Sequence, residues 1–519
     1  METLLILFTI YRPTMGIFSN NNSTRSITTK DFYFGAPEAE GENVRGQSLT
    51  DYFEDYLDIL GELKKGKFIF VGRKGVGKSA IAKFIKDKSD KSDDSFATIL
   101  RVSDLGIEKQ IQLEDASEDS YLLLFEWLIL INTVKLIVDN DCGKFTLEYD
   151  KLKKFLERNT GSVEIDKFQI NEKFIKSGGE INFGVLTHAF GGIFKKYFDA
   201  KTSKAPFYKL IPPLKDILKI IIEYPVNKDL EFWLLFDDLD VNYDISNEDD
   251  NQKIIELLRV AKHYNNEVFK NSNAKILIFI RDDVRDFIIP KYNDSAKIFN
   301  SYEIIINWYD HNLSLSDENN NPLKKMANRR IEINFQNLNI DFGRDAWAAL
   351  INNENYGTIY YPKTSFKYIL DFTFYRPRDI ITFLKTISTE KYVYPINSDS
   401  LKKIIEKYIN TNVAEIKSEL SLFFSEAEKD KIFRDLFPFI ANNSRLDYNE
   451  VLEKIKEIGF SIDSQTVMKI LVNYSLLIYQ NRQGDLFFSY REENIESYNI
   501  EDFTISLPKC IYHYYKSIN

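Results

Sequence analysis

One octapeptide limits the folds open to this chain more than any other feature. Residues 72–79 read GRKGVGKS and match G-x-x-x-x-G-K-[ST] in full. The apolar run KFIFV (67–71) leads in and the helical pattern AIAKFIKDK leads out, so the loop joins a buried strand to a helix. Gly72, Gly75 and Gly77 let the backbone curl with its N–H groups turned inward, and the following helix aims its positive end at the same point. Such a loop cradles phosphates. Gly72, Arg73, Lys74, Gly75, Val76, Gly77, Lys78, Ser79 and Ala80 are the expected ATP-binding residues, with Lys78 reaching the β- and γ-phosphates and Ser79 ligating Mg²⁺.

Further short apolar runs follow at 96–102, 231–236, 274–280 and 302–307, most of them separated by helical patterns. The alternation predicts an α/β fold, a parallel sheet with helices on both faces. The run at 231–236 continues into Asp237, Asp238 and Asp240. Three carboxylates at the end of a buried strand repel one another unless a cation sits there. Asp237 is placed to hold Mg²⁺ through its water shell, since magnesium dehydrates reluctantly. Asp238 is placed to polarise an attacking water. It is one methylene shorter than a glutamate, which points to slow hydrolysis. Arg281 ends the 274–280 run, where a polar side chain senses a γ-phosphate. In FTFYRPRDIITFLK (372–385), Pro377 suits a first helical turn, and the flanking Arg376 and Arg378 have the chemistry to fork onto phosphate. These two readings stand beside plainer ones, a solvated charge cluster and a surface helix start.

The 519 residues exceed one core and predict about two to four domains. Lys78 and Asp237 lie 159 residues apart (237 − 78), more than a compact nucleotide-binding core needs, and a mainly helical insertion at 105–225 accounts for the excess. Within it, the Gly-punctuated stretch 177–194 has the look of a hairpin. The pattern 49–63 reads as one helix with Phe53, Tyr56, Leu57 and Leu60 on a face. The expected organisation is an N-terminal extension (1–30) without order, continued by an irregular polar lead-in over 20–50; an α/β core (31–310) carrying the insertion; a helical unit (311–415); and an α+β unit (416–519). The apolar run 4–10 falls short of the about 20 residues a membrane span needs, and Met15 is an alternative start. Glu126, Asn132 and Lys135 interrupt the longer apolar segment 121–140, which reads as a buried helix rather than a membrane segment. Two cysteines, Cys142 and Cys510, and four scattered histidines leave no disulfide framework and no zinc spacing, which fits a reducing cytosol. The net charge of −10 gives no general field toward nucleic acid.

The segments FVGRKGVGKSA, WLLFDDLDVNY, IIELLRVAKHYN, ILIFIRDDV, IIINWYDHNL, MANRRI and YRPRDIITFL occur in that order. Together they resemble a group of bacterial P-loop ATPases of the broad AAA+/STAND class, with a DDLD acidic motif, a strand ending in Arg-x-Asp, a Trp after the last strand and an RPRD motif on a helical lid. The resemblance spans residues 31–410 and, more weakly, the C-terminal unit. It implies a P-loop NTPase sheet with a lid, and Lys78 and Ser79 on phosphate and Mg²⁺. It implies Asp237 and Asp238 at metal and water, Arg281 as a sensor, and Arg376 or Arg378 on the lid. It also implies an ATP-driven switch, often encoded in mobile or antiviral defence loci beside an effector protein, with self-assembly open. A DNA-binding ATPase, such as a loader or transposition regulator, and a nucleotide-stabilised scaffold without turnover are the alternatives. Arg285, Arg329 and Arg330 are candidates for an arginine donated to a neighbouring copy.

Residues 445–492 run helix, turn, helix, hairpin, the order of a winged helix, with Ser461 or Asp463 capping the second helix. Residues 421–519 hold 15 acidic and 11 basic residues, net −4, and the second helix carries Lys469 alone. DNA affinity depends on phosphate neutralisation, so a protein contact or packing role is favoured over DNA reading.

Overall fold

Five of the apolar runs pair side by side in a computed structural model of the protein. It describes residues 27–38, 41, 48–101, 120–142, 146–160, 181–223, 230–240, 243–244, 247–309, 315–359, 362–443, 445–491 and 503–518. The strands β1 (Ile69–Val71), β2 (Ser95–Arg101), β3 (Glu231–Asp237), β4 (Ala274–Ile280) and β5 (Glu303–Ile305) form one sheet. All neighbours are parallel, and the order is β2-β3-β4-β1-β5. β1 lies between β4 and β5, so the chain leaving it must cross β4 and β3 to reach β2. The helix Lys78–Asp90 makes that crossing. The loop after β1 and the acids after β3 therefore meet at the carboxyl edge of the sheet, where open parallel sheets place their ligands. Apolar stacking holds the register: Phe70 pairs with Phe279, and their rings stack 4.8 Å apart with nearly parallel planes.

The helices Ser120–Asp139, Leu147–Thr160, Thr187–Phe194 and Phe207–Glu223 lie between β2 and β3. Residues 121–139 are long and apolar enough to cross a membrane, yet 89% of the segment is buried inside the protein. Its interrupting polar groups are satisfied there. Glu126 pairs with Lys215 at 2.5 Å, and Asn132 donates to the Leu128 carbonyl. The hairpin expected within 177–194 is absent from its described part. Ile181–Asn182 pairs antiparallel with the more distant Lys204–Ala205, and Thr187–Phe194 between them is a helix.

Another expectation changes because of long-range aromatic contacts. The single helix expected over 49–63 is two short ones, Leu49–Tyr52 and Ile59–Lys64. Between them Phe53 stacks on Phe84 (4.1 Å) and Tyr56 packs on Trp308 (4.1 Å), while Asp58 turns left-handed at φ 50°. Both aromatic contacts draw the backbone out of a helical path. The lead-in is irregular over 32–38, as expected, and supplies Phe32 and Phe34 to the core, with Phe32 packed against Phe34, Phe335 and Tyr394. Of the extension expected without order, residues 1–26 lie outside the described residues. Thr29 is anchored, with its N–H on the Tyr392 carbonyl and its hydroxyl on that of Glu390.

After the sheet come the helices Pro322–Asn337, Ala346–Leu350, Ser365–Leu370, Pro377–Ile387 and Ser398–Glu419. Helices Tyr448–Ile458 and Ser464–Asn473 follow, then a small antiparallel sheet of β6 (Ile478–Gln480), β7 (Leu486–Phe487) and β8 (Thr504–Ser506) in the order β8-β6-β7. Asp463 caps Ser464–Asn473, whereas Ser461 bonds to Glu428.

The sheet predicts its own sensitivity. Leu234 lies at the centre of β3 with no exposed surface, whereas Leu60 is 40% exposed. Leu234→Ala should cost about 2–5 kcal/mol in urea unfolding, and Leu60→Ala less than about 0.5 kcal/mol. Equal losses would contradict this placement of β3.

Candidate functional site

The 72–79 loop is held open from outside. Its carbonyls all face donors. Lys78 Nζ donates to Gly72 (2.8 Å) and Arg73 (3.1 Å), Arg376 to Lys74 (3.1 Å), the Arg378 N–H to Gly75 (3.4 Å), and the Trp308 indole N–H to Val76 (2.8 Å). The Gly77 carbonyl takes the Ile81 N–H at 2.9 Å. With the carbonyls engaged outward, the N–H groups of Gly75, Gly77, Lys78 and Ser79 have no protein acceptor among the described residues. Gly75 and Gly77 have φ of +83° and +104°, and a Cβ on Gly75 would meet that of Arg378 at 3.2 Å. The loop is thus a concave set of donors at a helix N-terminus, suited to an anion of phosphate type.

The acids stand opposite. Asp237 ends β3, is 3% exposed, and lies beside the Ser79 hydroxyl. Burial pushes its carboxyl up, against the pull of Ser79, the Asp238 N–H and Lys78. Burial likewise depresses the Lys78 ammonium, which Asp240 partly restores. A hydroxyl and a buried carboxylate in contact beside an anion cradle are suited to a hard divalent cation shared with the anion. Among the described residues no cluster of three or more His, Cys, Asp or Glu could hold a metal alone. Asp238 takes the left-handed conformation (φ 55°) and pairs with Arg101 at 3.2 Å.

Three arginines were candidates for phosphate, and they have different surroundings. Arg378 lies over Gly75, and its Nε is buried with no hydrogen-bond partner. Arg376 is not free to fork onto phosphate. Asp379 and Glu419 saturate its guanidinium inside the protein, and it braces the loop through the Lys74 carbonyl. Arg281 is also engaged, by Asp283, Asp240 and Tyr474. Burial opposes its charge, but Asp283 and its other partners hold the guanidinium firmly protonated. The Arg73 side chain turns away from the cradle, to the Phe374 carbonyl (2.9 Å) and over the Tyr490 ring. The candidates for donation to a neighbour make contacts within the chain. Arg285 pairs with Asp286 and Glu303, Arg329 donates to the Phe53 carbonyl, and Arg330 donates to that of Phe34.

A cavity of about 360 Å³ opens from the loop. Gly75–Ala80, Asp237, Asp238, Asp240 and Arg378 line it. The rest of the lining mixes Tyr52, Tyr56, Leu57, Trp308, Met326 and Ile381 with the charged Glu54, Asp55 and Arg330. Sequence reasoning missed this part of the lining. Its apolar residues come from four separated segments, and the one local signal is the aromatic Trp308 just past β5. A second cavity, of about 680 Å³, lies behind the loop between the sheet edge and Ser464–Asn473, and Thr466, Lys469 and Ile470 of that helix face it.

Residues 321–417, the stretch that carries Arg376 and Arg378, match a family described as the FunZ-associated C-terminal helical domain. No curated protein matches the chain.

The buried carboxylate makes a pH prediction. In the fold Asp237 holds its proton more tightly than an ordinary carboxyl of pKa 3.8. The unfolded chain therefore releases the proton first as pH rises, and the fold loses stability from that value up through the raised one. Asp237→Asn should make the protein more stable to urea at neutral pH, with the gain vanishing below the ordinary carboxylate range. A loss of stability at neutral pH would contradict the burial argument.

Proposed function

We propose that this chain is a P-loop ATPase whose nucleotide state switches the contact between its α/β core and the helical unit that acts as a lid. One observation carries the reading: an outward-braced loop presents free N–H groups to a space that also holds the Ser79–Asp237 pair and the unpartnered Nε of Arg378. The strand order β2-β3-β4-β1-β5 puts loop and acid at one edge of the sheet and supports the same reading. The aromatic side chains of the lining, Tyr52, Tyr56 and Trp308, then take the base. Ser79 and Asp237 would hold Mg²⁺, which would neutralise phosphate charge in the reaction. Lys78 leaves the Gly72 and Arg73 carbonyls for the phosphates, a short swing of a long side chain. Asp238 orients water for attack on the γ-phosphate, at the price of its tie to Arg101. Arg378, from the lid, supplies positive charge over the transferring group, so loss of that group loosens the lid.

The proposed setting, the ATPase component of a bacterial antiviral defence system with a separate effector, rests on the sequence resemblance alone. The reading as a DNA-binding ATPase gains nothing from the geometry, because Ser464–Asn473, the helix a winged helix would lay on DNA, faces the second cavity.

Steady-state turnover of ATP with Mg²⁺ tests this. The wild type should release phosphate, Lys78→Ala should bind ATP at least about tenfold more weakly, and Arg378→Ala should lower kcat about 10²-fold with a smaller change in KM. Asp238→Ala should retain ATP but not hydrolyse it. A wild type that neither binds nor hydrolyses ATP ends the proposal, and one that binds without turnover reduces the chain to a nucleotide-stabilised scaffold.

A further inference from the structure

The second cavity, of about 680 Å³, has the size of a small-molecule site, for which about 300–1,000 Å³ is usual. Much of its wall is apolar. Phe287 comes from the α/β core, Phe374 and Ile416 from the helical stretch after it, and Ile470 and Leu476 from the C-terminal unit. Most of the charged groups that face it are matched within the protein. Arg281 pairs with Asp283 and Asp240, Arg376 with Asp379 and Glu419, and Asp286 with Arg285. Asp244 and Lys469 are exposed to water.

Arg73 and Asp282 are the exceptions. Arg73 belongs to the phosphate loop but turns its back on the cradle. One N–H goes to the Phe374 carbonyl at 2.9 Å, and the guanidinium lies over the Tyr490 ring at 4.9 Å. Asp282 takes the Asp283 N–H on one oxygen at 3.0 Å. Neither has an ion-pair partner among the described residues, and no ion pair joins the two. They are close enough to act on each other. Burial and Asp283 raise the Asp282 carboxyl while Arg73 lowers it, and burial and Arg376 loosen the Arg73 proton while Asp282 tightens it. A guanidinium and a carboxylate that face one void without meeting leave a set of donors and an acceptor open, which is costly away from water. Lys74 lines the cavity too, so its phosphate-loop wall is cationic and its Asp282 wall acidic.

We propose that this cavity is a second binding site, for a small molecule that carries a carboxylate and an ammonium on an apolar body, the chemistry of a free amino acid with a large side chain. The carboxylate takes the donor fork of Arg73, the ammonium goes to Asp282, and the side chain lies among Phe287, Phe374 and Ile470. An apolar molecule with one charge satisfies one of the two groups and leaves the other open. The site goes beyond the ATPase reading and does not depend on it, and its test uses no nucleotide.

Calorimetric titration of the full chain compares L-tryptophan with tryptamine, which lacks the carboxylate, and with indolepropionate, which lacks the ammonium. Tryptophan should bind at least about tenfold more tightly than either, the scale of one hydrogen-bonded charge. In Asp282→Asn the preference for tryptophan over indolepropionate should disappear, because a neutral amide no longer favours an ammonium. Ile470→Trp should fill the cavity and abolish binding of all three. The proposal is overturned if tryptophan, phenylalanine and leucine all fail to bind at millimolar concentration, or if tryptophan binds no more tightly than its singly charged analogues. A preference that survives in D282N, or binding that survives in I470W, overturns it as well. Should either variant fail to fold, the comparison of the three ligands on the wild type decides alone.

Discussion

A backbone loop that turns its carbonyls outward needs donors to meet them, and here the donors come from every part of the chain. Trp308 follows the last strand of the sheet, Arg376 and the Arg378 N–H belong to the helical unit, and Lys78 curls back from the loop's own helix. Without these partners the carbonyls of residues 72–76 would lose their hydrogen bonds, at about 0.5–1.5 kcal/mol each. Rotating them inward would block the cradle. The constraint therefore couples the shape of the site to the seating of the helical unit on the sheet.

Arg376 shows how the coupling is built. It is buried between Asp379 and Glu419, which lie on two different helices, and it spends one N–H on Lys74 of the loop. Removing either acid would leave a buried charge uncompensated, which is strongly destabilising. A rigid brace at position 376 beside an unpartnered Nε at position 378 divides two tasks between neighbouring arginines. One fixes the helical unit to the loop, and the other is left for the ligand the loop is proposed to hold.

Much of this was legible in the sequence because the signals were local. Strand, glycine loop and helix are contiguous over 67–90, and the burial of β3 up to Asp237 follows from five apolar residues in a row. What was not legible depended on distant contacts. RPRD shows two arginines in equivalent company. Only Glu419, 43 residues downstream, and the Lys74 carbonyl, 302 residues upstream, settle which one is buried. The pattern over 49–63 favours one helix, but Phe84 and Trp308 pull Phe53 and Tyr56 out of it, and neither partner is a sequence neighbour. Arg281 was legible as a strand-end cation, and its tie to Tyr474 was not, because that tie joins two units whose docking no local pattern records.

The central claim is that Ser79 of the 72–79 loop and Asp237 opposite it let one metal and one triphosphate bind there as a unit. Electron paramagnetic resonance with Mn²⁺ in place of Mg²⁺ tests it most directly. The account predicts that the protein takes up Mn²⁺ when ATP is present and not otherwise, with phosphorus hyperfine coupling to the bound ion and loss of that signal in Asp237→Asn. Mn²⁺ that binds equally well without ATP, or ATP that binds with no metal beside its phosphates, would contradict it.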